Sequence, residues 1–205
     1  MPEITKLERQ KHDKTRVSVF VDEEYAFSCK DEIIVEFNIK KGMNVNELPL
    51  EKIKKEDDFS RAYSYAYKSV LRSDKTEKQI FDALKKNEFE ENIIEKVIER
   101  LKENDLINDI KYAEYAVCAF RGTGKRGIIY KLKQRGLSDE IINLAIEKID
   151  EDDQVKEACE LIRKKTKQGE DKYKQNLRIK RYLLQRGFEW DTIDEAMEKV
   201  FGEEE

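Results

Sequence analysis

This 205-residue chain contains two runs of basic side chains whose types and spacing suit the binding of a charged ligand. Between Arg121 and Arg135 there are six basic residues and no acidic residue, and between Arg163 and Arg186 there are ten basic residues and two acidic ones. Clustered Lys and Arg side chains bind phosphate groups, so the runs favour a nucleic-acid backbone or an acidic protein surface as ligand. An ordinary solvated surface of mixed charge is the alternative, because most charge runs have no other role.

One helical face in the first run combines cations with an aromatic ring. In a helix, Ile128 and Leu132 define the core face. Arg126, Tyr130 and Lys133 then lie on the opposite face with i, i+4 and i+7 spacing. Two cations that frame a tyrosine suit phosphate groups with a base or sugar stacked on the ring. Packing of the tyrosine on the aliphatic stems of its neighbours is equally compatible with this spacing.

Catalytic and metal-binding chemistry finds no matching set of residues. The single histidine, His12, excludes histidine-dependent triads and histidine-rich metal sites, and we expect it in an exposed loop between strands. The cysteines Cys29, Cys118 and Cys159 are too far apart for a disulfide framework or a Cys-based metal site, and we expect them to be buried. Residues 122–125 (GTGK) lack the spacing of a phosphate loop and are predicted to connect two helices. We therefore predict a protein that is not an enzyme and uses no metal or cofactor.

The first 50 residues have the pattern of β-strands. Apolar and other residues alternate in 17–21 and 25–29, residues 22–24 (DEE) suit a hairpin loop, and a strand near residues 4–10 would complete a three-stranded sheet. The apolar residues of 33–39 predict a short helix that Asp31 caps and Lys41-Gly42 ends. Residues 44–49 have the composition of a linker.

From Leu50 to Phe201 the pattern is helical and repeats three times. Residues 80–103 align without gaps with a segment 48 residues later and with another 51 residues beyond that. The turn position holds Glu88, Gly136 or Gly187, and glycine is typical where a helix ends. A further amphipathic helix precedes each pair, roughly at residues 59–72, 109–120 and 153–165. The apolar positions that coincide are Ile80/Ile128/Ile179, Leu84/Leu132/Leu183, Phe89/Leu137/Phe188, Ile94/Ile142/Ile193, Val97/Ala145/Ala196, Ile98/Ile146/Met197 and Leu101/Ile149/Val200.

The repeat predicts a mainly α protein whose three tandem three-helix repeats form an elongated, curved array with a small N-terminal β-rich region. The predicted domains are the β region and linker (1–50) and the repeats 51–104, 105–152 and 153–205. We expect that one repeat hardly buries its own apolar face and that stacking of neighbours completes the core. A compact bundle of nine helices is the alternative.

The third helices of the repeats collect acidic residues. They begin with Ser138-Asp139-Glu140 and Glu189-Trp190-Asp191, which suit N-capping and repel phosphate. Helix-turn-helix readout of DNA would need Arg, Asn or Gln there, so this pattern argues against it. On the middle helix of the third repeat, Leu177 and Leu184 are predicted to pack on an adjoining helix, with a protein partner as the alternative.

The composition favours a cytoplasmic protein that does not enter membranes. Charged residues make up 42% of the chain. The longest apolar run, from Tyr115 to Phe120, is far short of the about 20 residues of a membrane span. The polar N-terminus predicts no secretory signal. The net charge of −4 predicts that binding to DNA alone is weak.

Over its whole length the chain resembles the RecX regulatory proteins of bacteria. The segments that carry the resemblance are 17–27 (VSVFVDEEYAF), 67–80 (YKSVLRSDKTEKQI), 106–113 (LINDIKYA) and 127–136 (GIIYKLKQRG). The resemblance implies a regulator that binds the RecA recombinase and RecA–DNA filaments, and we expect the extended array to be a monomer. It also implies that the regulator mainly inhibits recombinase activity, in DNA repair, homologous recombination and the SOS response. A stand-alone DNA-binding helical-repeat protein is the alternative.

The residues that we expect to contact single- or double-stranded DNA or the filament come from the two basic runs. They are Arg121, Lys125, Arg126, Tyr130, Lys131, Lys133, Arg135, Lys164, Lys165, Lys167, Lys172, Lys174, Arg178, Lys180 and Arg181.

Overall fold

The computed structural model describes residues 1–169 and 171–202, which form a three-stranded sheet followed by ten α-helices. The strands are β1 (Ile4–Arg9), β2 (Arg16–Val21) and β3 (Glu24–Lys30). The helices are α1 (Asp31–Glu36), α2 (Leu50–Val70), α3 (Glu77–Lys86), α4 (Glu91–Glu103), α5 (Asp109–Ala119), α6 (Lys125–Gln134), α7 (Asp139–Ile146), α8 (Glu151–Lys165), α9 (Lys172–Gln185) and α10 (Trp190–Phe201). The predicted mainly α class with a small N-terminal sheet is confirmed.

Two compact units divide the chain. The first contains residues 1–73 and 80–106, and the second contains residues 74–79 and the chain from Ile107 onward. No helix of the described residues is both long and apolar enough to cross a membrane.

The sheet of the first unit is antiparallel in the order β1-β2-β3. Asp22 and Glu23 form a two-residue hairpin turn with positive φ (48° and 71°), which matches the twist of the flanking strands. The predicted three-residue loop is one residue too long, because Glu24 pairs with Val21. The buried side of the sheet packs on α1 and α2 through a core that includes Ile53.

Three boundaries in this region differ from their predictions. Asp31 is not the cap of α1: Lys30 holds that position because β3 runs straight into the helix, and Asp31 pairs with Arg9 instead (3.1 Å). The helix ends at Glu36 rather than at residues 41–42, and Asn38 adopts a positive φ. α2 starts nine residues before residue 59, since its first turns pack against the sheet through Ile53.

The repeated apolar positions form the interior of each helix triplet. Of these 21 residues, 17 are buried and four (Phe89, Ile98, Ile149 and Val200) are half-buried. The first and third helices of each triplet pack against each other. The equivalent turn residues Glu88, Gly136 and Gly187 all have positive φ (63°, 80° and 82°), as expected of a helix C-terminus.

The cores of the second and third triplets are separate. One buried cluster draws all its members from α5, α6, α7 and their connections, and another draws its members from α8, α9, α10 and theirs. These clusters contain eight and ten buried residues, respectively. The expectation that stacking of neighbours completes the core stays a prediction.

Candidate basic binding surface

The loop between α5 and α6 brings the start of α6 against the turn between α9 and α10. The Gly124 N–H donates to the Arg186 carbonyl oxygen (3.0 Å), and the Arg126 N–H donates to the Gly187 carbonyl oxygen (3.0 Å). A Cβ atom at Gly124 would lie 2.2 Å from the backbone of Phe188, so this approach requires glycine. The loop connects two helices, as predicted.

A second junction of the same kind lies within the second unit. The Thr76 hydroxyl donates to the Arg135 carbonyl oxygen (2.6 Å), and a Cβ atom at Gly136 would lie 2.4 Å from Lys78 Cβ. Thr76 and Arg135 are the repeat equivalents of Gly124 and Arg186. At each junction the start of a middle helix therefore docks on the turn that follows the next middle helix. Because α6 takes part in one junction through its start and in the other through its end, the two junctions fix its orientation.

The face formed by Arg126, Tyr130 and Lys133, which we call the α6 face, points away from the core as predicted. The Arg126 side chain is 68% exposed, Tyr130 is 63% exposed and the Lys133 side chain is 54% exposed. Arg126 Nε lies 3.6 Å from Glu189, and Lys133 Nζ lies 2.8 Å from Asp139. The exposure of the Tyr130 ring leaves its face open for stacking.

Two other cations of the first run contact aromatic rings. Lys131 Nζ donates to Thr123 Oγ1 (2.9 Å) and lies 4.6 Å from the centre of the Phe120 ring. The Arg135 guanidinium donates to the Tyr112 hydroxyl and lies 5.8 Å from the Phe120 ring. Lys131 and Arg135 are both half-buried, so we assign their cation–π contacts a role in stabilising the triplet.

The second basic run also divides into bound and open side chains. Lys164 lies 3.8 Å from Glu160, and Lys180 pairs with Asp194 at 2.6 Å. Lys165 lies over the Tyr182 ring at 4.9 Å, and its carbonyl oxygen accepts from Arg178 (2.8 Å). Within residues 1–169 and 171–202, six of the candidate cations form neither an ion pair nor a cation–π contact, namely Arg121, Lys125, Lys167, Lys172, Lys174 and Arg181.

The two leucines of α9 behave differently. Leu184 packs on the core of its own triplet, as predicted. Leu177 is 40% exposed, so the prediction that it is covered by another helix is wrong. It lies in a shallow groove beside Lys174, Arg181 and Tyr182.

The acidic starts of the third helices differ in their capping. The Ser138 hydroxyl accepts from the Ile141 N–H (3.4 Å) and caps α7, as predicted. The Glu189 side chain does not cap α10, contrary to the prediction. It approaches Arg126 instead, so α10 partly neutralises one cation of the α6 face.

The cysteines and the histidine are arranged as follows. His12 lies in an exposed loop between β1 and β2, as predicted. Cys29 and Cys159 are buried, but Cys118 is exposed, which corrects the expectation that all three are buried. In the described residues, no group of three or more His, Cys, Asp or Glu side chains could hold a metal ion.

A face in the first unit, which the charge pattern did not single out, has the same spacing as the α6 face. Arg61, Tyr65 and Lys68 on α2 are also an arginine, a tyrosine and a lysine at i, i+4 and i+7. Asp57 and Asp58 come just before them, so no basic run marks the place. The signal that could have found it is the repeated spacing rather than the local charge.

The architecture of a small sheet followed by three-helix units matches that of a known protein family. The model "Regulatory protein RecX N-terminal domain" matches residues 2–46, "RecX, first three-helix domain" matches residues 62–101 and "RecX, third three-helix domain" matches residues 151–197. Regulatory protein RecX of Clostridium acetobutylicum is 38% identical over 98% of this chain and 97% of its own. That of Clostridium perfringens (strain 13 / Type A) is 35% identical over 100% of this chain and 99% of its own.

Solved structures agree with this assignment. "Crystal structure of RecX from Lactobacillus salivarius" has a TM-score of 0.66 and 28% identity, and covers 71% of this chain and 97% of that one. "Crystal structure of regulatory protein RecX" has a TM-score of 0.73 at 24% identity, and covers 98% of this chain and 100% of that one, which supports the fold. The protein therefore has a helical-repeat fold, and its relatives are named regulatory proteins. The chain belongs to the RecX family of regulatory proteins.

Proposed function

We propose that this protein binds RecA and RecA–DNA filaments and mainly inhibits recombinase activity, as a cytoplasmic monomer without enzymatic activity. The observation that carries the proposal is the similarity to RecX regulatory proteins along the whole chain. The exposed cation–tyrosine–cation spacing of the α6 face supports it, because cations contact phosphate groups and an exposed aromatic ring stacks on bases.

The contact surface that we propose consists of the α6 face, although its two cations pair with carboxylates, together with the cations of the two basic runs that form neither an ion pair nor a cation–π contact. On the α6 side these are Arg121, Lys125, Arg126, Tyr130 and Lys133, and around α9 they are Lys167, Lys172, Lys174 and Arg181. The remaining candidates Lys131, Arg135, Lys164, Lys165, Arg178 and Lys180 already make contacts within the protein, so we assign them a smaller share of the binding energy.

We expect binding to RecA filaments to be stronger than binding to naked DNA. Several cations of the surface face carboxylates of their own chain, and the net charge is −4. Both facts limit the release of counterions on which affinity for DNA alone depends. Affinities for the filament and for bare single-stranded DNA, measured at one salt concentration, test this. Equal values would favour a stand-alone DNA-binding protein.

The inhibitory activity is tested with RecA itself. RecA ATPase and strand exchange should fall when the protein is added below the RecA concentration, because one molecule bound on a filament affects many subunits. Unchanged rates in both assays would contradict the proposed function.

Charge reversal on the α6 face tests the contact surface. The double variant Arg126→Glu/Lys133→Glu changes the charge by four units and places carboxylates beside Glu189 and Asp139. Filament affinity should fall by about tenfold or more, and its salt dependence should flatten as phosphate contacts are lost. The fold should persist, because surface substitutions usually change stability by about 0.5 kcal/mol or less.

The matched control reverses two other exposed lysines of the second unit. Lys148 and Lys199 also pair with carboxylates, Glu114 and Glu195, and lie outside the proposed surface. Lys148→Glu/Lys199→Glu should keep its affinity, and circular dichroism should show equal helicity in both double variants. If both double variants bind like the parent, the α6 face is only solvated surface.

A further inference from the structure

A cleft in the first unit runs between the sheet and the outer side of α2, and we call it the α2 cleft. Its lining contains four cations, Arg16, Lys30, Arg61 and Lys68, and one carboxylate, Asp13. The other lining side chains are polar or aromatic, namely Gln10, Thr15, Ser28, Ser64, Tyr65, Asn87 and Phe89. An open cleft with this lining suits an anionic ligand that also offers hydrogen-bonding groups.

Two of the four cations are already matched by carboxylates of their own unit. Arg16 is held by Asp57 at 2.9 Å and is mostly buried, and Arg61 lies 3.2 Å from Asp58. These arginines therefore shape the cleft more than they attract a ligand.

The other two cations are available to a ligand. Neither Lys30 nor Lys68 forms an ion pair within the described part of the chain. Lys30 Nζ donates to Ser64 Oγ (2.7 Å), which holds its ammonium group against the α2 side of the cleft. Lys68 is exposed, so it can reach an incoming anion.

Tyr65 distinguishes this cleft from a simple anion site. Its side chain stands between Arg61 and Lys68 on the same face of α2, and it is 44% exposed. A phosphate or a carboxylate alone gains little from an aromatic face, whereas an unpaired base stacks on it. Bases in a duplex are already stacked and paired, so an exposed ring favours a single strand.

We propose that the α2 cleft binds a segment of single-stranded nucleic acid, with backbone phosphates on Lys30 and Lys68 and a base stacked on Tyr65. The site is separate from the basic runs of the second unit and does not depend on the proposed binding of RecA.

Asp13 makes the proposal sharper, because its carboxylate opposes a polyanion. Its Oδ1 accepts hydrogen bonds from the Thr15 N–H (3.0 Å) and hydroxyl (2.6 Å), which lower the pKa of the carboxyl group, and Arg16 and Lys30 lower it further. The group is therefore negatively charged at neutral pH. Asp13→Asn can keep an oxygen acceptor for Thr15 while removing the charge.

The experiment measures binding of a short fluorescein-labelled oligothymidylate, without RecA, to the full chain carrying Arg126→Glu/Lys133→Glu. This background weakens binding by the α6 face. Adding Tyr65→Leu should weaken binding by about tenfold, the typical contribution of one stacked base. The control Tyr67→Leu changes an equally exposed tyrosine (40%) of the same helix outside the cleft, and its affinity should stay unchanged.

Two charge variants complete the test. Lys68→Gln should weaken binding and reduce the slope of affinity against salt by about 0.7, the value for one phosphate of a single strand. Lys54→Gln, at an exposed lysine outside the cleft, should leave both unchanged. Asp13→Asn should strengthen binding.

Photocrosslinking gives a result that does not depend on affinity. An oligonucleotide that contains iodouracil should crosslink to Tyr65. Crosslinks that map only elsewhere, or equal affinities of the Tyr65→Leu and Tyr67→Leu variants, would overturn the proposal. Stronger binding of polyglutamate than of oligothymidylate, lost in Lys68→Gln, would overturn it in favour of an acidic peptide. Each of these results is independent of the RecA assays.

Discussion

At the scale of single residues, a basic run in the sequence separates into two chemical roles. Arg126 and Lys133 are exposed on one side of α6, while Lys131 contacts Phe120 and Arg135 contacts the Tyr112 hydroxyl. An α-helix has 3.6 residues per turn, so neighbouring cations of one run point in different directions. Charge counts therefore overestimate the number of side chains that are available to a ligand.

The thiols provide a prediction at the same scale. Burial raises the pKa of the Cys29 thiol to about 11, with a further contribution from Asp57, and burial also raises the pKa of Cys159. Only thiolates react readily, and only where a reagent can reach them. We expect Cys118 to react rapidly with a disulfide reagent such as Ellman's reagent in the native protein, while the other two stay protected.

Counting the thiols that react before and after unfolding checks this expectation. One fast equivalent in the native protein and three after denaturation are the expected values. Cys118→Ser should abolish the fast phase. Rapid reaction of Cys29 or Cys159 in the native protein would show that its packing is looser than described.

At the scale of the elements, the two junctions depend on the absence of a side chain. Gly124 has an ordinary helix-preceding φ of −67°, so alanine would not strain its backbone. Its Cβ would nevertheless lie 2.2 Å from Phe188 backbone atoms. We expect Gly124→Ala to lower the free energy of unfolding by about 3 kcal/mol, the upper end of the overpacking range.

Gly169→Ala is the matched control for this prediction. Gly169 has φ +79°, but no atom lies within 4 Å of the position that a Cβ atom would occupy. Alanine there therefore introduces only backbone strain, of about 1 kcal/mol. Urea denaturation of both variants measures the difference. Hydrogen exchange at the Arg126 amide, which donates to Gly187, should accelerate in Gly124→Ala alone. Equal destabilisation of the two variants would mean that the junction tolerates a methyl group.

The three helix turns show why glycine recurs at two of them. Gly136 and Gly187 combine a positive φ with a close neighbour, Lys78 and Gly127 respectively. Glu88 has the same positive φ, but it is exposed. At position 88 the backbone has to adopt the left-handed conformation, but no neighbouring group excludes a side chain. A residue other than glycine is therefore tolerated there.

At the scale of the whole molecule, the tandem repeat predicts an extended monomer. A compact globule of 205 residues has a radius of gyration of about 17 Å. We expect small-angle scattering to give a larger value, with the forward scattering of one 24.4 kDa chain. A radius at or below that of the globule would contradict the curved array, and twice the mass would contradict the monomer.

Much of the fold could be predicted from the order of amino acids, because hydrophobic periodicity is local information. Alternation between Val17 and Val21 predicted the sheet, and the coincidence of seven apolar positions predicted the triplet cores that the structure contains. The spacing of Arg126, Tyr130 and Lys133 on an exposed face was likewise predicted, since helix geometry alone places them opposite Ile128.

What only the tertiary structure decided concerns contacts between residues far apart in the chain. The early start of α2 follows from the packing of Ile53 on the sheet, and the fit of Gly124 follows from the approach of residue 188. The pairing of Arg126 with Glu189 and the α2 cleft also join separate segments. Such contacts have no periodic signal, because their geometry depends on how whole elements pack rather than on the residues beside them.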